Sequence, residues 1–284
     1  MDKLQAILAK FSGSASTFEK MTPKEFEQLK VDSLNNTEGT RNQEDGYNCK
    51  ACKNKGYIVK LKELPDGNFT QVMAECKCSE VRRSIYRMKK SGLKNIITDY
   101  TFDKYEVTED WQRIIKDAAI EYAKNPKGWF FLCGQSGIGK SHLCTAICRE
   151  FLLEGRRVVY MAWRDDIEKL KNIEDETEQR LRLMERFKKA EILYIDDLFK
   201  TGRKPDGSKQ GPTSTDVNKA FEIINYRYNN PDLLTIVSSE WTMAELLEID
   251  EATGGRIFER AGDHGINIDP DKGKNYRTRK TVTI

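Results

Sequence analysis

The sequence predicts an α/β domain built on a parallel sheet, preceded by a small zinc-ribbon-like cysteine module and short N-terminal helices. Three observations carry this reading. From Trp111 onward, helical patterns alternate with short apolar runs, as crossover helices and buried parallel strands do. A glycine-rich stretch from Gly134 to Ser141 joins one apolar run to a helical pattern. Four cysteines fall in two close pairs between residues 49 and 78.

The chain has 284 residues, with 48 Lys plus Arg against 45 Asp plus Glu and 38% hydrophobic residues. Such a composition fits a globular chain and excludes collagen-like, low-complexity and wholly disordered classes. No run approaches the roughly 18 apolar residues of a membrane span. The opening Met1–Lys10 is too short and broken for a signal peptide, so a cytoplasmic protein is expected. The basic surplus is local: residues 45–92 hold 11 basic and 5 acidic residues. That excess suits a polyanion or an acidic protein face, or is a solvated lysine-rich surface.

Taken in order, residues 1–12 place Leu4, Ile7, Leu8 and Phe11 at helical spacing. Thr22-Pro23-Lys24-Glu25 has the form of a helix start, with Thr22 as N-cap and Pro23 in the first turn. Residues 35–46 are polar and read as a linker. The expected organisation is an N-terminal helical segment and linker over 1–44, a cysteine module over 45–92, a connection over 93–110 and the α/β domain over 111–284.

Cys49-x-x-Cys52 and Cys76-x-Cys78 flank a predicted hairpin, Tyr57–Lys62 and Phe69–Ala74, with a turn at Pro65–Asn68. Two thiol pairs on tight turns supply the four tetrahedral ligands of a structural zinc ion. A redox C-x-x-C is the competing reading, and it lacks a surrounding βαβ pattern. A closed four-thiolate site holds a small module together and leaves no open position for catalysis. Cys133, Cys144 and Cys148 read as packing residues. The tail of the module, Ser79–Lys90, is a basic helix.

In the α/β region, helices are expected over 111–124, 140–154, 165–189 and 215–228. Strands are expected over 129–133, 158–162, 192–195 and 234–238. The first strand runs into Gly134-Gln135-Ser136-Gly137-Ile138-Gly139-Lys140-Ser141, with His142 next on the helix. This fits the phosphate-binding pattern G-x-x-x-x-G-K-[ST]. Its glycines let backbone N–H groups face a triphosphate at a helix N-terminus, Lys140 reaches the β- and γ-phosphates, and Ser141 ligates Mg²⁺. The strand Ile192–Ile195 ends in Asp196-Asp197. Asp196 is assigned to Mg²⁺ and Asp197 to activating the attacking water. The polar end of the next strand, at Ser239, is placed to sense the γ-phosphate. Arg256 and Arg260 lie four apart on one helical face, and read either as a surface pair or as arginines offered to a neighbouring active site. Lys200–Pro212 reads as a mobile loop beside the site.

With these motifs, the chain resembles the DnaC/DnaI-type replicative helicase loaders, which are AAA+ ATPases. The resemblance covers about 45–284. It rests on the cysteine pairs, the phosphate loop, Ile195–Leu198, Phe221-Glu-Ile-Ile-Asn-Tyr-Arg-Tyr228, the arginine pair and Asn275-Tyr276-Arg277. Related transposition helpers of the IstB type share the ATPase core and generally lack such a cysteine module. The resemblance implies a weak, DNA- or partner-stimulated conversion of ATP to ADP with Mg²⁺. It also implies docking on a hexameric DnaB-type helicase through the N-terminal part, self-association side by side, and contact with single-stranded DNA. By position, Arg260 becomes the arginine finger, Arg256 its neighbour and Arg277 a sensor arginine. The DNA contacts would come from Lys169, Lys171, Arg180, Arg182 and Arg186. One departure stands out: where the family commonly has Ser-Asn, this chain reads Ser239-Glu240. An ionised carboxylate cannot donate a hydrogen bond to phosphate. That leaves open an ATP-switched interaction protein with little hydrolysis.

Overall fold

The computed structural model describes residues 21–90, 93, 95–172, 178–202 and 205–276. The helix expected over 1–12 lies outside them. The chain divides into two compact units, 1–79 and 80–284.

In the first unit, α1 (Pro23–Asn36) begins as its sequence dictates. Thr22 caps the helix and Glu25 reaches back to complete a capping box. Strands β1 (Tyr57–Glu63) and β2 (Phe69–Glu75) form the expected antiparallel hairpin, Tyr57 opposite Glu75 and Glu63 opposite Phe69. Helix α1 is pinned to this hairpin. The Asn35 side chain donates to Val59 O at 2.8 Å and accepts from Val59 N at 2.9 Å. Lys55, buried to 8% exposure, donates to Leu34 O and Asn35 O and so closes the carbonyl end of α1. The polar stretch 35–46 also runs back over the cysteine turn. Gly39 N donates to Lys53 O at 2.6 Å, and a short helix α2 (Asn42–Asp45) follows.

The division falls inside α3 (Cys78–Lys90). The second unit continues with α4 (Ile96–Asp99), α5 (Asp110–Lys124), β3 (Trp129–Gly134), α6 (Lys140–Leu153), β4 (Val158–Ala162) and α7 (Trp163–Asn172). Next come α8 (Glu178–Lys188), β5 (Ile192–Leu198), α9 (Ser214–Tyr228), β6 (Leu234–Ser239), α10 (Met243–Ile249), α11 (Glu251–Ala261) and β7 (Gly265–Ile268). The charged region 165–189 is thus divided between two helices. β7 was not foreseen: four residues, Gly265-Ile-Asn-Ile268, carry too little pattern to stand out.

The sheet is five-stranded and parallel, in the order β4-β5-β6-β3-β7. Every residue of β3 and of β6 is buried; β3 accordingly reads as an apolar run, while β6 buries Thr235, Ser238 and Ser239 as well. With β6 between them, β3 and β5 bring the glycine-rich loop and the paired acids to the same carboxyl edge, where α/β sheets hold ligands. Cys133, Cys144 and Cys148 are fully buried, and burial pushes their thiols up, to about 12 for Cys133. They pack, as expected of inert thiols.

Arg227, from the Ile-Asn-Tyr-Arg-Tyr segment, is fully buried. It donates to Thr235 Oγ1 and to the carbonyls of Phe187, Lys188, Ala190 and Leu234, at 2.6–3.1 Å. It thereby joins α9 to the ends of α8 and the start of β6.

Candidate functional site

The glycine-rich loop turns between β3 and α6 in backbone conformations that require glycine. Gly134 has φ 144° and Gly139 φ 90°. A Cβ on Gly139 would stand 2.5 Å from the Tyr105 ring, and one on Gly134 would stand 2.8 Å from Ile268 O. Lys140, 5% exposed, donates to Gly134 O at 2.8 Å and Gln135 O at 2.9 Å. Burial lowers its pKa, against the pull of the Asp197 and Glu240 carboxylates.

β5 leaves its regular register between Ile195 and Leu198, and Asp197 sits at φ 58°. Consecutive strand residues normally face opposite sides, and the bulge with its left-handed residue re-aims the second acid. Asp196 reaches the loop end and Asp197 lines the cleft beside it. Asp196 accepts hydrogen bonds from four hydroxyls: Ser141 at 2.9 Å, Tyr160 at 2.8 Å, Tyr194 at 2.6 Å and Ser238 at 2.7 Å. Burial and the neighbouring Asp196 charge raise the Asp197 pKa, while Lys200 opposes them through a 2.6 Å ion pair. An anionic oxygen and a hydroxyl side by side at a phosphate loop are hard ligands that suit Mg²⁺.

The cleft has a volume of about 300 Å³. It is lined by Ser136, Gly137, Lys140, Ser141, Asp197, Lys200 and Glu240 together with the aromatic residues Tyr100, Tyr105, Trp111 and Tyr276. These aromatic residues form no motif in the sequence, although Tyr100 and Tyr105 stand close together just ahead of Trp111. Tyr105 OH donates to Ile138 O at 3.1 Å. His142 also lines the cleft, but its Nε2 lies 2.9 Å from Thr101 O and its ring meets Tyr100 and Tyr105. Gln135 exchanges two hydrogen bonds with the Asp271 backbone, and Tyr276 N donates to Gly137 O at 3.0 Å. The chain after β7 therefore folds back over the loop.

Other expected residues are placed differently. Ser239 is fully buried; its hydroxyl donates to Leu198 O at 2.9 Å and accepts from Trp241 N at 3.1 Å. The strand end turns Ser238 toward the acids instead, and Glu240 lines the cleft. Arg260 donates to Pro231 O at 2.8 Å, just before β6 begins, and Arg256 Nε donates to Asn225 Oδ1 at 3.1 Å. Both are thus directed away from the carboxyl edge that carries their own chain's phosphate loop. Arg277 lies outside the described residues. Described residues of the Lys200–Pro212 stretch are tied back: Gln210 N donates to Gly202 O, and Lys209 Nζ donates to Glu240 O at 2.7 Å and pairs with Glu245 at 2.8 Å. Among the expected DNA-contacting cations, Lys169 pairs with Asp166 at 2.7 Å and Lys171 with Asp216 at 2.6 Å.

In the first unit, the Sγ atoms of Cys49, Cys52, Cys76 and Cys78 all lie within 4.8 Å of one another, and all four residues are buried. Cys49 Sγ is 3.8 Å from Cys76 Sγ, and Cys52 Sγ is 3.6 Å from Cys78 Sγ. A tetrahedron with Zn–S bonds of about 2.3 Å has edges of about 3.8 Å, so the cluster fits zinc. Burial pushes the Cys52 thiol up, but the Gly56 N–H and the neighbouring cysteines outweigh it and draw it down to about 7. A thiol so placed is ready to give up its proton to a metal.

The family described as IstB-like ATP binding protein matches residues 70–282. Phage-like element PBSX protein XkdC of Bacillus subtilis is 31% identical over 242 residues, 81% of this chain and 84% of that protein. Replicative helicase loader DnaC of Buchnera aphidicola is 26% identical over 137 residues, 45% of this chain and 52% of the loader. Among solved structures, the crystal structure of the DnaC helicase loader aligns with a TM-score of 0.48 at 17% identity, covering 62% of this chain and 98% of that one.

Proposed function

Because the chain belongs to the IstB-like ATP-binding protein family, we propose that it is an ATPase that loads a hexameric DnaB-type helicase onto single-stranded DNA. The observation that carries the ATPase reading is the meeting of Lys140, Ser141, Asp196 and Asp197 at one carboxyl edge of the sheet. The aromatic residues lining the cleft suit a nucleobase, since π faces stack on bases of any kind. The loop N–H groups and Lys140 would hold the phosphates. Ser141 and Asp196 would ligate Mg²⁺, which neutralises charge on the phosphate oxygens. Asp197 is the group that orients the attacking water and accepts its proton. Arg256 and Arg260, directed away from their own phosphate loop, fit a finger only if it serves a neighbouring copy, so the reading requires self-association. Arg277 would act on the nucleotide from the chain that covers the loop. Zinc on the four cysteines would hold the first unit in one shape for docking on the helicase. Support for the loader comes from the DnaC relative and from the cysteine module.

Affinity capture of the tagged chain with ATP, followed by native mass spectrometry, tests this. The expected result is a hexameric helicase carrying several copies of this chain, lost with Lys140→Ala. Recovery of a transposase, together with ATP-dependent coating of duplex DNA, would replace the loader by a transposition helper, the reading that the family's description favours. Capture of the helicase without any turnover, with or without single-stranded DNA, would leave an ATP-operated switch.

A further inference from the structure

The end of β6 offers no free neutral donor to a γ-phosphate. Ser238 and Ser239 are fully buried. The Ser238 hydroxyl lies between Asp196 Oδ1 and Asp197 N, and the Ser239 hydroxyl lies between Leu198 O and Trp241 N. The next residue, Glu240, brings a carboxylate into the cleft. A triphosphate entering here therefore meets the acids Asp197 and Glu240, which line the cleft, and like charges brought together in a partly buried site are costly.

Of the lysines lining the cleft, Lys200 is the one paired with both of these acids among the described residues. Lys200 Nζ lies 2.6 Å from Asp197 Oδ2 and 3.1 Å from Glu240 Oε1, and it lines the same cleft as Lys140. The backbone is shaped to hold it there. Asp197 and Phe199 both adopt left-handed conformations, φ 58° and 60°, and Lys200 N donates to Asp197 O at 2.9 Å. Such conformations are unfavourable for non-glycine residues and persist where the surroundings impose them. Phe199, fully buried against Trp163, anchors the turn. The Lys200 side chain remains 36% exposed, so a ligand can reach it.

We propose that Lys200 is a further cation of the nucleotide site, which recognises the γ-phosphate of a nucleoside triphosphate in place of a neutral donor at the end of β6. The inference rests on the cleft being an ATP site. An ammonium has three donors, so Lys200 can keep Glu240 while exchanging Asp197 for a phosphate oxygen. Glu240 is then the tether of the sensor rather than a defect in it. The exchange also frees Asp197 for the attacking water only when a third phosphate is present. With a diphosphate bound, Lys200 stays on Asp197.

The test is calorimetric titration of the full chain with a non-hydrolysable ATP analogue and with ADP, both with Mg²⁺. Lys200→Met is expected to weaken the triphosphate by about tenfold or more, the scale of one charge-assisted hydrogen bond. ADP affinity should stay within about twofold, which also certifies the fold. Lys200→Arg, which keeps the charge, should recover most of the loss. Equal weakening of both nucleotides, or no weakening of either, would overturn the assignment while leaving the ATP site intact. Failure of the unaltered chain to bind either nucleotide would instead overturn the ATP-site reading, and this inference with it.

Discussion

Ser141 and Asp196 are hydrogen-bonded across 55 positions of sequence, Oγ to Oδ1 at 2.9 Å. The contact joins the first turn of α6 to the bulged end of β5, so both expected magnesium ligands face one point. Tyr160 and Tyr194 add their hydroxyls from β4 and β5 themselves. These rings are buried edge to face, with centroids 5.3 Å apart, and fix the carboxylate before any metal arrives. Preorganised ligands of this kind lose little on binding.

Asp196→Asn keeps the shape and removes the charge. It is expected to reduce the Mg²⁺-dependent part of ATP affinity by about tenfold or more, since a charged hydrogen-bonding group contributes about 1.5–3 kcal/mol. Titration with ATP in the presence and absence of Mg²⁺ reads this directly. An unchanged magnesium effect would remove Asp196 from the metal site.

The cysteine cluster leads to a separate expectation. Cys52→Ser, or prolonged chelation, should unfold the first unit while the second keeps its own transition. A small module without its metal lacks the core to fold, whereas the five-stranded sheet has its own. Calorimetry should show one transition lost and one retained, with elemental analysis giving one zinc per chain before treatment and none after. Retention of both transitions in the metal-free chain would make the cluster a mere group of buried thiols.

Motifs whose chemistry fixes spacing were legible in the sequence. Thr22 and Glu25 marked a helix start, the cysteine pairs marked a hairpin, and Gly134–Ser141 with Asp196 marked a phosphate edge. What escaped depended on long-range packing. Nothing local at Glu240 says that Lys200 will pair with it, because the bulge after Ile195 decides that. Ser239 was expected to face the site, yet a one-residue shift at a strand end exchanges faces, and Ser238 takes the inward position. Arg227 sat in a quoted motif without a role, since a buried arginine can be recognised only from the carbonyls around it.

That arginine is the basis of a stability prediction. Arg227→Met leaves the carbonyls of Phe187, Lys188, Ala190 and Leu234 without their shared donor. Burial holds the guanidinium down to about 9, yet its hydrogen bonds keep it in place. Removing it should cost about 3–5 kcal/mol, the range for breaking a buried charged network. Urea unfolding of the variant measures it, and a cost below about 1 kcal/mol would mean that water replaces the guanidinium easily.

Arg260 separates binding from turnover. Its contacts with Pro231 O and the Trp129 ring lie within its own chain, so Arg260→Ala should not alter nucleotide affinity at a phosphate loop on the opposite edge. If it serves a neighbour, DNA-stimulated turnover should fall by about 10³-fold, as with other arginine fingers. Mixing Arg260→Ala with Lys140→Ala chains should restore part of the turnover, because each then supplies what the other lacks. Full stimulated activity in the single variant would return Arg260 to a packing role.

Lys171 and Asp216 tie α7 to the start of α9 with a 2.6 Å ion pair, and Asp216 also completes the capping box with Thr213. Burial alone would raise the Asp216 pKa, but the Lys171 and Thr213 hydrogen bonds outweigh it and hold the pKa below the ordinary carboxylate value. A carboxylate lowered in the folded state contributes fully above its unfolded pKa, about 3.9, and loses that contribution as pH falls through the folded value. Asp216→Asn should therefore be less stable than the unaltered chain by about 2 kcal/mol at pH 7, the scale of a cap and a charged hydrogen bond together. The gap should narrow steadily below about pH 4. Urea unfolding of both proteins across that range tests it. A gap that stays constant with pH would mean that the loss comes from the cap alone, and that Lys171 is free to meet a phosphate backbone.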